Sequence, residues 1–335
     1  MDICDWLPSH FSAFRDQAIS WAEGTPVFSF GIEIEIIAEP HIIEGYLAYN
    51  HAEYYKKLSD SIKVQYLRAA SDPLQGGYQK HPEHYDKWWI TRDGSLKLSN
   101  AESFTHIPIE AVSPIFKTNG NWAGELYSFW ESYSAVFKMP QHSVYCGSHF
   151  HISRGRHSAF TLRELKIIAF GIVFNEPLID GMLVRERWGN PYCQRNRSVS
   201  WALNNTCCYG KAVLAGVIND IPDKVSLCHL MQAHSRHVLW NFQNTLPGKS
   251  GTIEFRGGPC LRGPAQTLAW AAFSVALVQW LLYKKHILNP RSCTWYTGDQ
   301  FYAEIQRTAY QMEIGHYLPP SYTQLNEAEG WRMGY

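Results

Sequence analysis

The sequence predicts an α+β or mixed α/β fold built around one sheet, in which adjacent strands pair antiparallel. Segments with strand-like alternation of apolar and polar residues are interleaved with longer helix-like segments. Two strand candidates, at 237–244 and 251–258, are joined by the turn TLPGKS, which implies antiparallel pairing. With 45% hydrophobic residues among 335, the chain can bury a sizeable core. We therefore expect one domain over residues 1–335, with 1–26 as an N-terminal helical extension.

The N-terminal half alternates predicted helices and strands. A helix is expected over the first 23 residues, and a strand rich in Phe and Ile over 27–37. Residues 41–70 favour a helix that ends in the turn-rich sequence SDPLQGG. The next predicted elements are strands at 87–91 and 106–115, a helix at 121–138, a strand at 144–153 and a helix at 161–176.

The C-terminal half begins with residues 177–222, whose pattern predicts no element. After the two strands named above, helices are predicted at 264–287 and 299–312. The longest apolar stretch, 268–283, contains Ser274 and Gln279 and is shorter than the ~20 residues of a membrane span. Pro264 near its start and lysines at its end are typical of a buried helix in a soluble protein.

Charge and cysteine usage exclude several classes of partner. Thirty basic residues balance thirty acidic ones, so bulk charge favours neither nucleic acid nor an anionic membrane. The first residues lack the basic flank and apolar run of a signal peptide. Eight cysteines without CxxC spacing fit a reducing compartment better than a disulfide framework or a zinc site. We expect a cytoplasmic protein.

Polar pairs interrupt several otherwise apolar strands. Side chains two residues apart on a strand point to the same face, so each pair shares a face while apolar residues occupy the other. Any single pair is commonly a half-exposed sheet surface. Their joint occurrence indicates one polar site. The pairs are Glu33 with Glu35, His149 with His151, and Glu254 with Arg256, and Glu110 is a further charged residue on an apolar strand.

Such a set of side chains predicts metal and phosphate chemistry. Carboxylates that converge repel one another unless cations join them. Oxygen-rich ligation with one or two imidazoles suits Mg²⁺ or Mn²⁺ better than structural zinc. Arg256 next to Glu254 matches an anion clamp, and cations plus clamps serve phosphoryl transfer. The sequence LPGKSG is not a P-loop, because Gln243 stands where a glycine is required and a strand follows.

Six short motifs in order carry a resemblance to a known family. They are FGIEIE, TRDGSL, IEAVSPI, GSHFHIS, NFQN and TIEFRGG, spread over about 28–258. In this order they resemble the amidoligase family, which belongs with the glutamine synthetase and glutamate–cysteine ligase group of carboxylate–amine ligases. The resemblance implies an α+β catalytic domain with a curved, largely antiparallel sheet that has helices on its outer face and holds ATP and divalent metals on its concave face.

The resemblance also implies roles for individual residues. The metal ligands would be Glu33, Glu35, Glu110, His149 and Glu254. His151 would face substrate, Arg256 would hold the transferring phosphate, and Asp93 in the RDGS turn is a further candidate. The stretch CQRNRSVSWALNN matches the family only loosely, so Arg195 and Arg197 are either phosphate or substrate contacts or part of a solvated loop.

Three functions remain open at this point. The first is an ATP-dependent ligase that joins a small-molecule or peptide carboxylate to an amine through an acyl phosphate. The second is a metal-dependent oxygenase or hydrolase that uses the HxH motif, which leaves Glu33, Glu35, Glu110 and Arg256 without a common purpose. The third is a binding protein that kept the fold and lost the chemistry. Neither the substrates nor the oligomeric state follows from the sequence.

Overall fold

A computed structural model describes the chain over residues 25–44, 50–74, 85–141, 143–155 and 159–327. Within these ranges one sheet has the strand order β2-β3-β4-β1-β6-β8-β7, and β5 pairs with the start of β1. All pairings are antiparallel except that of β2 with β3, so the sheet is mixed. The strands are β1 (Ser29–Ala38), β2 (Ala69–Ser71), β3 (Trp88–Thr91), β4 (Ile107–Val112), β5 (Phe116–Lys117), β6 (Gly147–Ser153), β7 (Trp240–Asn241) and β8 (Ile253–Gly258).

The central strands have one apolar and one polar face. Ile32, Ile34 and Ile36 of β1 are buried, as are Phe150 of β6 and Phe255 of β8. Because successive side chains point to opposite faces, the intervening residues of these strands point away from this core. A register slip of one residue would bring the glutamates of β1 into the core, so the apolar face fixes the strand register.

Helices cover the apolar face of the sheet. Side chains from α1, α2, α3 and α8 join the central strands in one hydrophobic cluster. For example, Trp88 of β3 stacks on Phe129 of α2, with ring centroids 4.1 Å apart. The helices in the described residues are α1 (His51–Val64), α2 (Trp122–Val136), α3 (Leu162–Met182), α4 (Asn196–Val199), α5 (Trp201–Cys208), α6 (Lys211–Asp220), α7 (Lys224–Gln232), α8 (Pro264–Lys284) and α9 (Gly298–Gln311).

Helix α8 forms the centre of this helical layer. It is the one helix in the described ranges that is long and apolar enough to cross a membrane, but 94% of its most apolar window is buried inside the protein. A helix that is apolar all round is typical of a core position. Pro264 occupies its first turn, where a missing N–H costs nothing. The predicted buried helix is therefore confirmed.

The α+β class is confirmed, and three element predictions need correction. The predicted helix 41–70 was too long: α1 covers His51–Val64, and Ala69–Ser71 forms β2, because it pairs in parallel with Trp88–Ile90. Of the predicted strand 237–244, only Trp240–Asn241 forms a strand, β7, since a 3₁₀ turn begins at Gln243. Residues 177–222 contain the end of α3 and helices α4 to α6. The helix predicted for the first 23 residues lies outside the described residues.

Candidate active site

Strand pairing collects the alternating polar side chains on the face opposite the helices. Because β4, β1, β6, β8 and β7 are neighbours, residues from five strands align in rows across the sheet. The rows are Gly31 with His151, Glu254 and Asn241; Glu33 with His149; and Glu110 with Glu35 and Gly147. The sheet register alone thus brings together the carboxylates and imidazoles that the sequence singles out.

The two imidazoles lie between the carboxylates. His149 is 2% exposed, and its Nδ1 lies 2.9 Å from Oε2 of Glu33. The same nitrogen is 3.6 Å from Oε1 of both Glu35 and Glu254. Nε2 of His151 lies 3.1 Å from Oε1 of Glu33 and 4.0 Å from Oε1 of Glu254. Each imidazole therefore contacts carboxylates from two different strands.

The arrangement fits a hard divalent cation. Ligand atoms of Glu33, His151 and Glu254 all lie within 4.8 Å of one another. Among the described residues, buried Oε2 of Glu110 and Nε2 of His149 have no hydrogen-bond partner. Because an unpaired buried polar atom costs free energy, these atoms indicate a site built for a further group. Carboxylate oxygens with imidazole are the ligands that suit Mg²⁺ or Mn²⁺.

Crowding shifts the pKa values of these groups in opposite directions. Burial, reinforced by Glu33 and Glu35, raises the pKa of Glu110 well above its usual value. Burial likewise raises the pKa of Glu35. Burial would also raise the pKa of Glu33, but His151 and His149 outweigh it and the net pKa is well below the usual value. For His151, the charges of Glu33 and Glu254 outweigh burial and raise the pKa to about 9.

Arg256 is a fixed cation beside this cluster. The residue is 8% exposed, and its side chain forms an ion pair with Glu254 through Nη1. Its Nε donates a hydrogen bond of 3.1 Å to the carbonyl oxygen of Tyr192. The other oxygen of Glu254 accepts from Nδ2 of Asn241 at 2.8 Å. Both members of the Glu254–Arg256 pair are thus oriented by further hydrogen bonds.

A second buried arginine supports this end of the site. Arg187 precedes α4 in a 3₁₀ turn, is 3% exposed, and donates through Nη2 to the carbonyl oxygen of Arg256. Its guanidinium occupies the space that a side chain at Gly147 would take, since a Cβ there would lie 2.7 Å from Nη1. Its positive charge acts to lower the pKa of Glu35. Sequence reasoning missed Arg187 because it lies in the segment without a readable pattern.

The rows form the floor of a cavity of about 690 Å³. Asp93 lies in its wall, in a turn where Oδ1 accepts the N–H of Ser95. Exposed Arg92, Arg236 and Lys249 also line the cavity, and none forms a salt bridge within the described part of the chain. The predicted residues that line it are Glu33, Glu35, Asp93, Glu110, His149, His151, Glu254 and Arg256.

Arg195 and Arg197 lie outside this cavity lining. Arg195 pairs with Asp180 at a separate surface groove. The backbone N–H of Arg197 donates to Glu176, 3.4 Å away, at the start of α4. Both residues therefore contact α3, and the loosely matched stretch does not extend the cavity.

Comparison with known proteins assigns the chain to a family. A family model described as "Putative amidoligase enzyme" matches residues 26–278, which include every strand of the sheet and all the predicted metal-binding residues. No curated protein matches the chain. The family description supports a ligase-type enzyme. The chain therefore belongs to the amidoligase family.

Proposed function

We propose that the protein is an ATP-dependent carboxylate–amine ligase. A substrate carboxylate oxygen attacks the γ-phosphorus of ATP, which gives an acyl phosphate and releases ADP. The nitrogen of an amine then attacks the acyl carbon, phosphate leaves, and the amine loses one proton as the amide forms. The substrates are a small-molecule or peptide carboxylate and an amine. The observation that carries this proposal is the convergence of Glu33, Glu35, Glu110, Glu254, both imidazoles and Arg256 on one cavity floor, in a chain of the amidoligase family.

The carboxylates and imidazoles would hold Mg²⁺ or Mn²⁺. Glu33, His151 and Glu254 supply one ligand group, because their donor atoms lie within 4.8 Å of one another. Glu35 and Glu110, paired across β1 and β4, supply a second. When bound, the cations neutralise charge on the phosphates and on the substrate carboxylate.

His149 lies between the two ligand groups and contacts both. The resemblance assigns metal binding to His149 and substrate contact to His151, whereas the cluster of donor atoms contains His151. We therefore assign a metal-binding role to both imidazoles. In a Mn²⁺ titration, His149→Ala and His151→Ala should each weaken binding about tenfold or more. A loss confined to His149→Ala would contradict the role of His151.

Cationic and acidic side chains around the cluster would stabilise charge, attract ATP and accept a proton during the reaction. Arg256 stabilises the charge that develops on the transferring phosphoryl group, because its guanidinium is already fixed at the cavity floor. The exposed cations Arg92 and Arg236 attract the polyphosphate of ATP to the cavity. Asp93 in the cavity wall is the base that takes the proton from the attacking amine.

A trapping assay tests the proposal before the substrates are known. The protein is incubated with MgATP, pools of carboxylates, and hydroxylamine as a surrogate amine that converts acyl phosphates to hydroxamates. ADP and hydroxamate should form together, and both should require Mg²⁺. Glu254→Gln should abolish both products, whereas Glu131→Gln, an exposed carboxyl of α2, should change neither. Carboxylate-independent ADP without hydroxamate would indicate a hydrolase, and no turnover with retained ATP binding would indicate a binding protein.

A further inference from the structure

The cavity floor continues beyond the metal-binding rows into an end made of hydroxyl groups. Ser29 of β1 pairs with Ser153 of β6. Thr252 directly precedes Ile253, which pairs with Ile152, so Thr252 lies next to Ser153. All three hydroxyl-bearing residues line the cavity. We name Ser29, Ser153 and Thr252 the hydroxyl row.

Within the described residues, one hydroxyl group of the hydroxyl row has no hydrogen-bond partner. Ser29 is 2% exposed, and its Oγ makes no hydrogen bond among the described residues. By contrast, Ser153 Oγ donates to the carbonyl oxygen of Ser29 at 3.4 Å, and Thr252 Oγ1 lies 3.0 Å from Oγ of Ser250. An unpaired buried hydroxyl is costly, so its presence in a cavity wall indicates a polar group of a ligand.

The charge at this end differs from that of the metal-binding rows. Among the described lining residues, the five carboxylates lie elsewhere in the cavity: Glu33, Glu35, Asp93, Glu110 and Glu254. Lys249 lines the cavity from the loop between β7 and β8 and is exposed, and it has no salt bridge within the described ranges. The hydroxyl row therefore offers hydroxyl donors and no negative charge, and Lys249, three residues before Thr252 in the chain, adds a positive charge to the cavity wall.

The loop that carries Lys249 is held in a defined conformation. The N–H of Gly251 donates to the carbonyl oxygen of Asn244 at 2.7 Å, and the N–H of Lys249 donates to that of Leu246 at 3.1 Å. Gly31 lies on the strand between Ser29 and the glutamates and leaves the floor open, since its nearest neighbour is Ser113 Oγ, 3.8 Å from a built Cβ. A ligand can therefore lie along β1 from the metal-binding rows to the hydroxyl row.

We propose that the hydroxyl row and Lys249 bind a second carboxylate of the substrate whose first carboxylate is activated at Glu33, His151 and Glu254. This inference rests on the proposed function and narrows its substrate class to dicarboxylates whose two carboxylates lie further apart than those of a single acidic amino acid, such as acidic peptides. Hydroxyl and ammonium donors match a carboxylate. Ser29 and Glu33 lie four residues apart on β1, and Ser153 and His151 lie two apart on β6. At the rise of a strand these spacings are about 13 Å and about 7 Å, which sets the range of separations between the two carboxylates. The ribose of ATP would use the hydroxyls but would gain nothing from the charge of Lys249.

Binding of simple dicarboxylates tests this subsite directly. The probes are α,ω-dicarboxylates of increasing length, each compared with the monocarboxylate of the same length. Isothermal titration uses the full chain with Mg²⁺ and a non-hydrolysable ATP analogue. For at least one chain length, the dicarboxylate should bind at least about tenfold more tightly than the monocarboxylate of the same length. Lys249→Gln and Ser29→Ala should reduce that ratio towards one without changing affinity for the ATP analogue. Lys285 is an exposed lysine after α8, and Lys285→Gln should leave this affinity ratio unchanged.

Two outcomes would overturn the subsite. The first is equal affinity for the dicarboxylate and the monocarboxylate of every pair, or no binding of any probe. Either result would show that the hydroxyl row binds no second carboxylate. Weaker binding of the ATP analogue by Lys249→Gln and Ser29→Ala would place the row in the nucleotide site instead. Repeating the series with MgATP separates the two proposals: selective dicarboxylate binding without ADP would contradict the ligase alone, and ADP formed equally with both members of a pair would contradict the subsite alone.

Discussion

At the scale of single residues, the proposed phosphoryl transfer depends on Arg256. Its Nε is occupied by the carbonyl oxygen of Tyr192 and its Nη1 by Glu254. A simple ion pair would need only the positive charge. The hydrogen bond to the carbonyl oxygen of Tyr192 adds a second constraint, because it fixes the plane of the guanidinium relative to the carboxylates. A planar guanidinium fixed in this way can donate two parallel hydrogen bonds to a phosphoryl group, which an ammonium cannot do.

Arg256→Lys separates these two roles. The charge is kept, so the ion pair with Glu254 should survive, but the bidentate geometry is lost. We expect acyl phosphate formation in a single turnover to fall ~10²–10³-fold, by analogy with the loss of other preorganised donors. Affinity for MgATP should change far less. Near-normal single-turnover rates would make Arg256 a structural partner of Glu254 only.

Glu110 should destabilise the metal-free protein. Its folded-state pKa is raised by burial and by Glu33 and Glu35, so the charged form is disfavoured in the folded state. The cost is absent below the ordinary carboxyl pKa and grows as the pH rises above it. In EDTA, Glu110→Gln should therefore have a higher Tm than the wild type at pH 8 and an equal Tm at pH 4.

Added Mg²⁺ should reverse this order of stability. A cation bound by Glu35 and Glu110 stabilises the wild type, whereas Glu110→Gln has lost one ligand and gains less. Glu131→Gln, an exposed carboxyl of α2, serves as the control and should follow the wild type in both conditions. A lower Tm for Glu110→Gln in EDTA at pH 8 would mean that the carboxylates are not mutually repulsive.

At the scale of elements, the start of β6 and the turn that carries Arg187 depend on each other. Gly147→Ala would place Cβ 2.7 Å from Nη1 of Arg187. The guanidinium must then move away from the carbonyl oxygen of Arg256, its hydrogen-bond acceptor. We expect a loss of about 1–3 kcal/mol in the free energy of unfolding, measured by urea denaturation, because an extra methyl group at this buried contact forces the Arg187 side chain to shift.

Gly181 in α3 provides the matched glycine control. A Cβ built there meets no atom within 4 Å. Since alanine favours a helix over glycine, Gly181→Ala should be neutral or stabilise the protein by up to about 1 kcal/mol. Equal effects of the two substitutions would show that Arg187 does not need the space at Gly147.

Helix α3 also buries a carboxyl that should make stability depend on pH. Glu176 is 2% exposed, and burial raises its pKa from 4.5 to about 7. The folded state therefore binds the proton more tightly than the unfolded state, and stability falls as the pH rises from 4.5 to 7. Above that range Glu176→Gln should be more stable than the wild type by roughly 3 kcal/mol. The two proteins should unfold at equal urea concentrations at pH 4, and equal midpoints also at pH 8 would contradict the raised pKa.

At the scale of the whole molecule, alternation along β1, β6 and β8 was enough to predict the floor of the site. Period-two patterns specify which side chains share a face, and the apolar face fixes the register. The same patterns do not specify which strands are neighbours. The direct pairing of Glu35 with Glu110, and of His151 with Glu254, depends on the order of strands in the sheet.

The parts of the site that the sequence did not predict come from non-periodic segments. Arg187 lies in a 3₁₀ turn, and its position depends on contacts with Gly147 and Arg256 that are distant in sequence. The hydroxyl row was missed because serine and threonine on a strand are ordinary residues until a cavity is seen beside them. Strand β2 was assigned to a helix because its three residues form a strand only by pairing with β3.

Transfer of oxygen from carboxylate to phosphate tests the central claim most directly. A carboxylate substrate identified in the trapping assay is labelled with ¹⁸O in its carboxyl group, and the phosphate released with ADP is analysed by mass spectrometry. In an acyl phosphate, the bridging oxygen comes from the carboxylate and leaves with the phosphate, so each turnover should deliver one labelled oxygen to phosphate. Unlabelled phosphate during amide formation would show that the carboxylate never attacks the phosphoryl group, and would contradict the ligase mechanism built on Glu33, Glu254 and Arg256.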